Sequence, residues 1–139
     1  MNKWLLLVMV LISCNSYAEE YDYEKVANEL PHGMTQLAFE ERSKNIKGKS
    51  FKDFGTIKQV APHKTNNELA VVIFEVDPDD ERRFPDFSIV MLKKDAITLN
   101  LGDVKEVTGT IAEIIDINGP SVIVANAVVG ELQNPQSTK

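Results

Sequence analysis

The chain reads as a mostly β domain behind a short helical segment. After Gly48 the sequence turns to β-branched and aromatic residues in runs bounded by turn signals. Before it, apolar residues recur three and four apart, which is the helical period. Two of the longer β runs contain a glycine, Gly55 and Gly109, and such glycines let a small sheet curl far enough to close.

Residues 1–18 are an address before they are structure. Lys3 is followed by an apolar run from Trp4 to Ile12, and Ser16-Tyr17-Ala18 stands directly before Glu19 and Glu20. A cation, a short apolar stretch and small residues at the minus-three and minus-one positions make a secretory signal peptide, which predicts a periplasmic protein of a bacterial-type envelope. The run is less than half the roughly 20 residues of a membrane-spanning helix, so no transmembrane segment is expected after processing. Leu11-Ile12-Ser13-Cys14 also reads as a lipobox. Cleavage after Ala18 would release the domain, and this is the leading expectation; cleavage before Cys14 would leave a lipid anchor on that cysteine. With no other cysteine in the chain, the mature domain is expected to stand on its core without an internal disulfide.

Residues 19–47 form the helical segment, expected to pack on the sheet. Val26, Ala27 and Leu30 share one face, and Met34, Leu37 and Ala38 repeat the spacing. Pro31 and Gly33 interrupt it, which predicts a first helix, a break across residues 30–33, and a second helix starting near Thr35, a capping residue. Lys44 and Lys47 in the last turn and Gly48 just beyond suit the helix dipole and a left-handed cap.

Residues 48–132 carry five predicted strands, at about 50–60, 69–76, 87–92, 106–116 and 121–132, with a short turn around residues 95–100. The first should be bent by a bulge near Gly55, and the fourth breaks parity in the same way after Gly109. The runs at 70–74 and 122–129 are nearly all apolar, as in strands covered on both sides. Phe51, Phe54, Phe74 and Phe87 are read as core. Residues 77–86 read as an exposed loop and 133–139 as a flexible tail.

Composition narrows the function classes. The chain has 139 residues and a net charge of -6, about -7 once Lys3 leaves with the leader. That balance argues against nucleic acid as a partner, because such binding rests on Lys and Arg neutralising phosphates. Lys44, Lys47, Lys49, Lys52 and Lys58 do crowd around one junction, but Glu40, Glu41 and Asp53 sit among them. The acidic run Asp77-Pro78-Asp79-Asp80-Glu81 lacks the ligand spacing of a calcium loop and reads as a solvated turn. His32 and His63 are the two histidines, each beside a proline, and no metal site or cofactor is expected. Nothing in the spacing builds a catalytic constellation, so the chain is read as a non-enzyme.

The order of several short segments carries a family resemblance. Met34-Thr35, Ile46-Lys47-Gly48-Lys49, Gly55-Thr56-Ile57, Leu101-Gly102-Asp103, Val107-Thr108-Gly109-Thr110-Ile111 and Val122-Ile123-Val124-Ala125-Asn126-Ala127 together resemble the tRNA_anti-like family of exported bacterial OB-fold proteins. The resemblance implies a five-stranded Greek-key OB barrel and supplies no catalytic motif. Modules of that fold bind with the face of their second and third strands and the loops joining strands one to two and four to five. Here those loops carry His63, Lys64, Asn66, Asn67 and Asn118, the predicted ligand-binding positions. The function read from the sequence is a periplasmic binding protein for an envelope protein, peptide or glycan; the alternative is an oligonucleotide-binding OB protein. Tyr21 and Tyr23 either anchor the helical segment or meet a partner.

Overall fold

The computed structural model describes residues 19–76, 87–116 and 120–131. The predicted leader with Cys14, the acidic run at 77–81, Asn118 and the predicted tail lie outside them. The elements run β1 (Glu20–Tyr21), α1 (Tyr23–Glu29), α2 (Gln36–Ile46), β2 (Ser50–Pro62), β3 (Leu69–Glu75), β4 (Phe87–Leu92), α3 (Lys93–Ala96), β5 (Val104–Asp116) and β6 (Pro120–Glu131).

The strands form one mostly antiparallel sheet in the order β1-β2-β3-β4-β6-β5, and β5 pairs back onto β2. The pairings from β2 to β6 therefore make a closed circuit of five strands. β4 and β6 run parallel through Phe87↔Val122, Ser88↔Ile123 and Ile89↔Val124. The circuit closes because β2 changes partner at Thr56: it pairs with β5 over Ser50–Thr56 and with β3 over Thr56–Pro62.

Gly55 allows that change. A Cβ at this position would lie 2.8 Å from the Phe74 Cβ and 2.9 Å from the Phe87 Cζ, so only a bare backbone fits against the two rings. Those rings stack with centroids 4.9 Å apart, and Phe51 meets Phe87 edge-on at 5.1 Å. All three are fully buried, with Ile57, Val72, Ile89, Val107, Ile111, Val122 and Val124 around them. The bulge in β2 falls between Ile57 and Gln59, beyond the glycine, whereas in β5 one register shift spans Gly109 and a second follows between Ile111 and Glu113.

The helical segment follows its predicted punctuation. The first helix ends with Leu30 as C-cap, Thr35 Oγ1 accepts from the Ala38 N–H at 3.2 Å, and Gly48 takes a φ of 85°. Three expectations are corrected. Tyr21 is strand, not helix: with Glu20 it pairs in parallel with Ser50 and Phe51, and Asp22 then caps α1 through the Lys25 N–H at 2.8 Å. On α2 the inward residues are Ser43 and Ile46, with Phe39 partly covered, while Leu37 is 71% exposed. The run at 70–74 is fully covered on one side and only partly on the other: Ala70, Val72 and Phe74 point in, while Val71 and Ile73 are half-buried.

Candidate functional site

A shallow groove opens where β2 hands over to β3 and β4 ends. It has a volume of about 580 Å³ and is lined by Asn67, Glu68, Leu92, Lys93, Lys94 and Ile97. The loop on one side is held by its own atoms. His63 Nδ1 accepts from the backbone N–H groups of Thr65 and Asn66, both at 3.2 Å, which leaves Nε2 as the ring's donor. Asn66 Oδ1 accepts from the Glu68 N–H at 2.9 Å, and the His63 N–H donates to the Leu69 carbonyl at 3.1 Å. The Lys93 N–H donates to the Glu68 carbonyl at 2.8 Å, fixing the loop against the start of α3.

The predicted positions thus take different roles. Asn67 lines the groove, Lys64 is exposed on the adjoining loop, and His63 and Asn66 spend hydrogen-bonding atoms on holding that loop in shape. Asn118 lies outside the described residues. Sequence reasoning missed Lys93 and Lys94, although a dibasic pair between Leu92 and Ile97 at a strand end was the available signal. Leu92 is 45% exposed and Ile97 76%, so the groove offers apolar walls next to two ammonium groups.

Charge is distributed differently from its distribution in sequence. Within the crowded lysines, Lys44 pairs with Glu41 at 3.5 Å, Lys52 with Glu106 at 3.6 Å and Lys58 with Glu75 at 2.9 Å, while Lys47 and Lys49 are exposed with no ion pair among the described residues. Neither Lys93 nor Lys94 is ion-paired among the described residues, and both are exposed. An unpaired surface ammonium keeps its full attraction for an anion, whereas a paired one has spent part of it.

A second, smaller cavity of about 270 Å³ is lined by Glu29, Arg42 and Asn45. Its walls are structural. Arg42 Nη1 donates to the Glu29 carbonyl at 3.1 Å, and the Tyr21 hydroxyl donates to Glu29 Oε2 at 3.0 Å. Burial, and then the bond to Glu29, push the Tyr21 phenol up to about 12. Lys25 lies 4.4 Å over the Tyr21 ring and pairs with Glu19, whose carboxyl is held below its usual range chiefly by that hydrogen bond. Tyr21 and Tyr23 are both buried, so they anchor the helical segment. Among the described residues no group of three His, Cys, Asp or Glu could hold a metal ion, and no helix is long and apolar enough to cross a membrane.

No protein-family model matches this chain, and no curated protein matches its sequence. A solved structure does match: the 2.46 Å crystal structure of a "putative nucleic acid-binding lipoprotein" from Klebsiella pneumoniae subsp. pneumoniae MGH 78578. It superposes with a TM-score of 0.54 at 17% identity, over 86% of this chain and 97% of that one. At that identity the likeness shows a shared β-rich fold. It also corrects the argument against nucleic acid made from net charge, since a neighbour of this fold is described as binding nucleic acid. Net charge sums over the whole surface, whereas phosphate binding rests on the local arrangement of cations, so the one does not decide the other.

Proposed function

We propose that the chain is an exported, non-enzymatic OB-fold module that binds single-stranded nucleic acid and is held at the envelope by a lipid on Cys14. The groove carries this reading: two unpaired ammonium groups, Lys93 and Lys94, stand beside exposed apolar walls and a rigid loop bearing Lys64. The OB assignment is supported by the strand order, in which β4 and β6 run parallel and β5 returns to β2. The lipid is supported by Leu11-Ile12-Ser13-Cys14 and by the description of the Klebsiella neighbour as a lipoprotein.

Phosphate contacts release counterions, so binding must weaken as salt rises, with a slope of roughly 0.7 per phosphate neutralised on a single strand. With Lys64, Lys93 and Lys94 engaged, the logarithm of the association constant should fall with the logarithm of salt at a slope of about -2. Fluorescence anisotropy of labelled single-stranded DNA and RNA measures this, and replacing both Lys93 and Lys94 by Gln should remove about 1.4 of that slope. No association, or one indifferent to salt, refutes the reading. Intact mass of the processed protein tests the anchor, which requires an acylated Cys14 at the new N-terminus; a chain starting at Glu19 excludes it.

One observation favours a protein, peptide or glycan partner instead. The outer face of β3 and β4 presents Val71, Ile73 and Val90 half-buried, an aliphatic surface suited to a polypeptide. Crosslinking in the envelope that captures one discrete partner, together with failure to bind oligonucleotides, would select this reading.

A further inference from the structure

Single-stranded nucleic acid is commonly held by aromatic rings as well as by charge, because every base has a π-face to stack. The outer face of β3 and β4 has no aromatic ring: its residues are Leu69, Val71, Ile73, Glu75, Ser88, Val90 and Leu92. Among the described residues one Phe or Tyr side chain is exposed, and it lies elsewhere. Phe54, read from sequence as core, is 44% exposed on the outer side of β2, opposite Glu106 of β5.

We infer that Phe54 is a stacking platform for a base of single-stranded nucleic acid, flanked by Lys52 and Lys58 on the same outer side of β2. This rests on the nucleic-acid reading above and adds a contact outside the groove. Three observations support it. The position is rigid: the Phe54 N–H donates to Asp53 Oδ1 at 2.7 Å, Asp53 Oδ2 accepts the Tyr23 N–H at 2.8 Å, and Gly55 is pressed against Phe74 and Phe87. A backbone so held leaves only the two side-chain torsions of Phe54 to be ordered when a base stacks on it. Next, Lys52, Phe54 and Thr56 alternate outward, and Val104, 45% exposed, pairs with Thr56 beside the ring, so the platform has an apolar border.

The third is charge. Lys52 and Lys58 are each about half exposed, at 45% and 47%, and their partners Glu106 and Glu75 leave ammonium N–H groups for a phosphate. The longer and more exposed Lys52–Glu106 pair holds weakly and exchanges readily, whereas the buried Glu75 carboxylate keeps Lys58 close and leaves it the lesser phosphate contact. Two cations and two carboxylates balance on this face, so stacking carries its affinity while the groove carries most of the salt dependence. Glu106 opposes the phosphate, and removing its charge should tighten binding. From Phe54 to Pro62, where the groove's loop begins, the strand path is roughly 26 Å, so one strand must wrap the barrel to reach both.

Processing at either site removes Trp4, the chain's one tryptophan, so a Phe54→Trp protein carries a single reporter at the platform. Oligo-dT and oligo-U dodecamers are titrated against the processed full-length wild type, Phe54→Ala, Phe54→Trp and Glu106→Gln, with thermal melts to confirm folding. Phe54→Ala should weaken binding about tenfold. Phe54→Trp should bind at least as tightly as wild type with its fluorescence quenched by the oligonucleotide, and Glu106→Gln should bind more tightly. Wild-type binding that Phe54→Ala leaves unchanged, or indole emission of the Phe54→Trp protein untouched by bound oligonucleotide, overturns the platform and leaves the nucleic-acid reading standing. Absence of wild-type binding overturns that reading and the platform with it.

Discussion

The two helices ahead of the sheet are attached in opposite ways. The seven residues of α1 bury Tyr23 and Val26, with Tyr21 and Leu30 buried on either side, and Asp53 of β2 accepts the Tyr23 N–H. The eleven residues of α2 bury Ser43 and Ile46 near one end, and the buried Ser43 Oγ has no hydrogen-bond partner among the described residues. Length therefore does not measure attachment. Neither helix is long enough to be stable alone, so each is as firm as the apolar face it buries. For function this means that the shorter helix, with β1, fixes the chain's entry at the Ser50 end of β2, while the groove's loop leaves from the Pro62 end.

The contrast breaks most sharply at Val26. Val26→Ala should cost about 2 kcal/mol of unfolding free energy in denaturant titrations, whereas Leu37→Ala on α2 should stay within about 0.5 kcal/mol. Equal losses would mean that both helices are seated alike. Asp53→Ala comes next, because it strips two backbone N–H groups of a charged acceptor; a loss of about 1.5 kcal/mol is expected, with faster amide exchange at Tyr23. Unchanged exchange there would show that Asp53 does not hold α1.

At neutral pH the smallest effect is at Tyr21, and its pH-dependent part grows as pH rises. The folded phenol is pushed up to about 12, so the folded state keeps its proton after the unfolded chain has released it near 10. Its stabilising contribution is whole below pH about 10 and declines as pH rises toward 12. Melting temperatures across that range should fall less steeply for Tyr21→Phe than for wild type. Parallel curves would remove the Tyr21–Glu29 contact from the account of α1.

The fold was more legible in the sequence than the site was. Leu30 and Thr35 bound the helices where proline and capping chemistry placed them, because those signals act within one turn. Leu37 was misplaced because its three-and-four spacing names a helix face without saying whether a sheet will cover it. Phe54 was misplaced for the corresponding reason in a strand. Alternation puts it opposite Phe51 and Gly55 only once Gly55 is known to lie against the core, and aromatic character alone had assigned it to the interior. For the site, the loop carrying His63 to Asn67 was found by analogy of fold. Lys93 and Lys94 were passed over because a charge tally gives every lysine the same weight.

Local chemistry in the sequence determined the break between the helices, the strand-rich texture after Gly48 and the glycines that let strands bend. These depend on residues a few positions apart, and the chain states them directly. Tertiary structure alone decided that β2 changes partner at Thr56, that β5 returns to close the circuit, that Lys52 and Lys58 face carboxylates and that Lys93, Lys94 and Phe54 face solvent. Each of these is a pairing between residues far apart in the chain. Strand periodicity marks two faces, and only closure of the sheet selects which one is buried.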